Sequence, residues 1–123
     1  MATATIHAGI CGFITKVTAI PLPEGDVELT IVSDCPSMER LAAHLTKVDP
    51  LREISYRGEP PAVLEAARTH LPHPACVVPA GVLKTIEVAA VLALPAGASI
   101  EISRIDEEPP EPLPQSATEE AQP

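Results

Sequence analysis

Phe13-Ile-Thr-Lys-Val-Thr-Ala-Ile-Pro-Leu-Pro-Glu-Gly-Asp-Val-Glu-Leu-Thr-Ile-Val-Ser33 decides the fold class of this chain. Its first eight residues are rich in β-branched side chains and alternate, placing Phe13, Thr15, Val17 and Ala19 on one face. Pro21 to Asp26 reads as a turn. Val27 to Ser33 then alternates again, with Val27, Leu29 and Ile31 against Glu28 and Thr30, so the two runs form an antiparallel hairpin with one solvated side. A short strand at Thr3 to His7, turning through Ala8 to Gly12, precedes it.

Helices follow. Asp34-Cys35-Pro36-Ser37 carries a capping residue and an early proline ahead of Met38, Leu41, Ala42, Leu45 and Val48, the spacing of an amphipathic helix. Here Asp34 is read as the cap, the alternative being a carboxylate that lines the cysteine site. After Asp49-Pro50, Leu51 to Arg57 reads as a short edge strand. Pro60-Pro61 opens a second helix with Val63, Leu64, Ala67 and Leu71 inward, and the prolines of Leu71-Pro72-His73-Pro74 end it. A third helix, from Pro79 or Ala80 to Leu94, is apolar nearly all round, as expected of a helix buried against the sheet and against a second subunit. Ser99 to Arg104, with Ile100 and Ile102 against Glu101 and Ser103, supplies a last strand. The expected architecture is one compact α+β domain over residues 1–105, a four-stranded antiparallel or mixed sheet packed with three helices. Residues 106–123 are expected to form a disordered, acidic, proline-rich tail.

Composition narrows the function. Of seventeen acidic residues, six lie in that tail, leaving eleven against eight basic residues in the body. With one Phe, one Tyr and no Trp, no aromatic platform exists for stacking bases, and the net charge of −9 argues further against a nucleic-acid partner. Neither a secretory leader nor an apolar run of membrane-spanning length is present, so no membrane partner is expected and the chain reads as cytoplasmic. In that setting an odd number of cysteines argues for thiols, metal ligation or catalysis rather than a disulfide framework.

Cys11, Cys35 and Cys76 each sit beside a backbone breaker, in Ile-Cys-Gly-Phe, Ser-Asp-Cys-Pro and His-Pro-Ala-Cys-Val-Val-Pro. If the hairpin turns about Pro23, partners across it have numbers summing to about 46, which brings Cys11 and Cys35 to one end of the sheet. Cys76 joins them if the last strand runs parallel to the one ending at Ser33. Cys35 and Cys76 then stand near helix N-termini, whose free amides favour thiolates and anionic clusters. Three thiolates suit an iron–sulfur cluster, of the 4Fe–4S type with an open fourth iron, or a Cys3His zinc site completed by His73 or His7. The absence of a C-x-x-C pair weighs against zinc. Three separate packing cysteines weigh equally against a shared site. His44 and His70 read as surface or boundary residues, and Lys84 as a snorkelling side chain or a counter-charge to a cluster.

The blocks His-Ala-Gly-Ile-Cys-Gly-Phe, Ser-Asp-Cys-Pro and Ala-Cys-Val-Val-Pro-Ala-Gly-Val-Leu-Lys-Thr-Ile-Glu-Val-Ala resemble a family of small three-cysteine proteins from anaerobic archaea and bacteria, a domain of unknown function. The resemblance spans about residues 4 to 104. It implies that the three cysteines act together and, for an anaerobe, that an oxygen-sensitive cluster is a credible cofactor. No reaction is implied. The expected function is that of a small iron–sulfur protein in electron transfer, sulfur handling or metal delivery, with a redox or sulfur-transfer partner; the alternative is a structural or oligomeric scaffolding module, with zinc or no metal.

Overall fold

A computed structural model describes residues 1–105, and the acidic tail lies outside the described residues. Strands β1 (Ala2–His7), β2 (Ile14–Pro21), β3 (Val27–Ser33) and β4 (Lys47–Val48) form one antiparallel sheet in the order β1-β2-β3-β4. Helices α1 (Pro36–His44), α2 (Pro50–Glu53), α3 (Ala62–His70) and α4 (Val78–Ala89) complete the α+β fold. The alternation read from the sequence appears in the burial. Val17 and Ala19 of β2 and Val27, Leu29 and Ile31 of β3 are buried, while Lys16, Glu28 and Thr30 face solvent. Met38 and Leu41 of α1, Val63 of α3 and Val78, Val82, Ile86 and Ala89 of α4 close the core from the helical side.

Three expectations need correction. Leu51 to Arg57 is not a strand. Asp49 caps α2 by accepting from the Leu51 amide at 3.0 Å, and Pro50 takes the first helical position, where its missing N–H costs nothing. Asp49-Pro50 therefore opens a helix, and the edge strand is the two-residue β4 just before it. Asp34 is exposed and does not cap α1; the N-cap is Cys35, without a side-chain capping bond. Finally, Ser99 to Arg104 joins no sheet and is exposed throughout. Two-residue alternation makes a strand only where an edge is within reach, and β1 takes up no second neighbour among the described residues.

The end of α4 also falls earlier than its apolar run suggests. The Leu92 amide bonds to the Glu87 carbonyl at 2.8 Å and the Val91 amide to the Val88 carbonyl at 3.1 Å, the paired bonds of a Schellman cap. That cap requires a left-handed residue, usually glycine, and here it is Val91 at φ 61°. A branched, 88% exposed side chain gains nothing from burial there and crowds its own carbonyl. Val91→Gly is therefore expected to stabilise the chain by about 1 kcal/mol despite glycine's extra freedom when unfolded. Thermal denaturation checks this, and an unchanged or lower midpoint contradicts it.

Two sides of α4 pack within the chain. One side packs on β1 and β2, and another meets α2 and α3. Gly81 lies so close to Ile6 that a Cβ built on it would collide with the Ile6 Cδ1. The absent side chain lets the first turns of α4 seat on the end of β1.

Candidate functional site

Each cysteine is positioned by a different local device. Cys11 belongs to the turn joining β1 and β2, closed by the Gly12 amide on the Gly9 carbonyl at 2.9 Å and the Ala8 amide on the Phe13 carbonyl at 3.2 Å. Both glycines have positive φ, 97° at Gly9 and 75° at Gly12, which leaves Ile10 and Cys11 exposed at the tip. Cys35 follows the end of β3 after one intervening residue, Asp34. Its amide donates to the Ser33 Oγ at 3.2 Å, and the same oxygen accepts from the Thr15 hydroxyl at 2.9 Å, so a buried two-strand bridge fixes the entry to α1. Cys76 sits two residues ahead of α4 in the stiff loop after α3. Cys35 and Cys76 are half-buried and pack against the core.

One row across the sheet relates the three segments. Gly81 of α4 lies against Ile6, Ile6 pairs with Thr15, and Thr15 pairs with Ser33 beside Cys35. The turn carrying Cys11 leaves the sheet at this same end, just past His7 and Ile14. All three cysteine-bearing segments therefore emerge at one end of the sheet. The route differs from the one expected. The hairpin turns at Leu22 to Asp26, partner numbers sum to 48, and Cys76 is carried there by α4 on β1, since no last strand exists among the described residues.

The side chains themselves are not gathered. Among the described residues no three His, Cys, Asp or Glu groups form a set that could hold a metal ion, and all three cysteines are free thiols. His7, at the end of β1, and His73, in the loop before Cys76, are both exposed. Lys84 is exposed and makes no ion pair among the described residues.

A profile of a family of unknown function, DUF6951, matches residues 2–102, which takes in every helix and strand and all three cysteines. The chain belongs to the DUF6951 family. No curated protein and no solved structure matches it. In this DUF6951 chain, then, chemistry has to be argued from the residues. No helix among the described residues is long and apolar enough to cross a membrane.

Sequence reading missed two groups. His44 and His70 stack, with ring centroids 4.7 Å apart and planes 20° apart, joining the ends of α1 and α3 beside a cleft of about 330 Å³. His44 is also held through Nδ1 on the Arg40 carbonyl at 2.9 Å. Glu53 is the other. Its carboxylate, 3% exposed at the residue level, accepts from the Ala62 amide at 2.8 Å and the Val63 amide at 2.9 Å, supplying the cap that Pro61 cannot.

Proposed function

We propose that this chain binds an iron–sulfur cluster through Cys11, Cys35 and Cys76, in a reducing cytoplasmic setting, and serves electron transfer, sulfur handling or metal delivery. The observation that carries the reading is that the three segments bearing free cysteines leave the sheet at one end, two of them at the entries to α1 and α4. Helix entries present unpaired amides and partial positive charge, which suit the negative charge of a sulfide cluster. Three soft sulfur donors match iron–sulfur or zinc chemistry in kind, although their side chains stand apart in the fold. Cluster binding therefore includes an inward movement of the exposed Cys11 turn. Held by these three cysteines alone, a cubane cluster would have one iron without a protein thiolate, and such an open iron would favour small-ligand or sulfur chemistry over simple electron transfer.

Protein purified without oxygen tests this. Iron and acid-labile sulfide are expected in near-equal amounts, with visible absorption, and each of Cys11→Ala, Cys35→Ala and Cys76→Ala should lose both while keeping the far-ultraviolet circular dichroism of the parent. Wild-type protein without iron and sulfide, after reconstitution has also failed, overturns the proposal. Stoichiometric zinc without sulfide would instead support the scaffolding alternative.

A further inference from the structure

The two edges of the sheet are treated differently. On the β3 side the edge is blunted by a two-residue strand that carries Lys47 and is followed at once by Asp49, Pro50 and a helix. On the other side β1 offers six residues, Ala-Thr-Ala-Thr-Ile-His, with no proline, no lysine or carboxylate and, on its outer side, no partner among the described residues. Its hydrogen-bonding pattern is fixed by the turn. Because the Ala8 amide donates to Phe13, the alternation of an antiparallel ladder turns Ile6, Ala4 and Ala2 towards β2 and leaves the N–H and C=O groups of Thr3, Thr5 and His7 directed outward. That is a template for another strand.

The same chain carries a segment with a strand's alternation but no sheet to join. Ser99 to Arg104 alternates Ile100 and Ile102 with Glu101 and Ser103, and the two isoleucines are 73% and 90% exposed. Beside β1, Ile100 and Ile102 would continue the inward row of Ala4 and Ile6, and Glu101 and Ser103 the outward row of Thr3, Thr5 and His7. The inward row has a cover ready. Lys84 and Val88 follow Gly81 at helical spacing, on the flank of α4 that touches Ile6, and can lie over the added isoleucines.

We propose that Ser99–Arg104 of one copy adds as a fifth strand to the outer edge of β1 of a second copy, reciprocally, giving a closed two-fold dimer. Edge and arm match in length and face pattern yet do not meet within one chain, and reciprocal exchange satisfies both at once. The interface is distinct from the cysteine site and stands whether or not a cluster binds.

Light scattering coupled to size exclusion, in reductant and chelator so that neither disulfides nor metal bridges contribute, should give twice the chain mass for the full protein. Ile100→Asp combined with Ile102→Asp alters only exposed positions and should give the single-chain mass with unchanged circular dichroism. Thr5→Pro, which deletes an outward amide, should do the same from the other side of the interface. A monomeric parent overturns the proposal, including one in which hydrogen exchange finds residues 99–104 protected by their own β1. So does a dimer that survives the paired isoleucine substitutions.

Discussion

Glu53→Ala is expected to destabilise the chain by about 3 kcal/mol, the cost of stranding two amides whose shared acceptor is a nearly buried carboxylate. Helix α3 begins after Pro60-Pro61, so no side chain at its own N-cap can satisfy the first-turn donors. Val63 is fully buried, and water does not replace the lost oxygen there. At roughly 5 °C per kcal/mol for a domain of this size, the thermal midpoint should fall by about 15 °C. Glu53→Gln keeps one acceptor and turns an NH2 group towards the second amide, so it should recover at most half of the loss. Arg52→Ala is the control. Arg52 also reaches back to this loop, through Nε on the Pro60 carbonyl at 2.7 Å, but the bond and its ion pair with Glu59 are exposed, and removing them should cost under about 1 kcal/mol. Equal effects at the two positions would show that the carboxylate is not what starts α3.

The contrast between Glu53 and the hairpin shows what a sequence makes legible. A two-residue period sorts the faces of β2 and β3 without any knowledge of the turn, because a slip of two residues leaves every side chain on its side. Expectation and structure part by that slip alone: the turn centres on Glu24 rather than Pro23, and Cys35 aligns with Phe13 rather than Cys11, yet the buried faces are as expected. Local capping chemistry is readable only when direction is clear. Asp49-Pro50 has the residues of a helix start and follows a helical pattern, so the same two residues serve equally as an ending. Glu53 has no local signature, since its partners lie nine and ten residues on; the available signal is the pair of prolines before α3, which demands an acceptor from elsewhere. For the cysteines, proximity to breakers indicates loops, and the structure adds their common end. Only Gly81 reports how Cys76 comes to be there.

Gly81→Val should destabilise the chain by about 2–3 kcal/mol, because the added branches enter space already held by Ile6. The Ile6 Cγ1 lies 2.8 Å from the point a Cβ on residue 81 would occupy, and it is nearer to the backbone than the Cδ1, so rotation about the last bond alone does not relieve the contact. Gly81→Ala is a poorer probe, since helix propensity returns up to about 1 kcal/mol and masks the crowding. The informative experiment pairs the substitution with Ile6→Ala. Alone, Ile6→Ala should cost about 1–2 kcal/mol, as expected for a half-buried side chain. Combined, the two should be less damaging than their sum by at least about 1 kcal/mol, since the smaller residue vacates what the larger one needs. Denaturant unfolding of the four proteins measures that coupling. Strict additivity would mean that the first turns of α4 do not rest on the end of β1, and Cys76 would then lose its place at the end of the sheet with Cys11 and Cys35. If the coupling is found and cluster content falls in Gly81→Val but returns in the double variant, the glycine that seats α4 also sets the third cysteine.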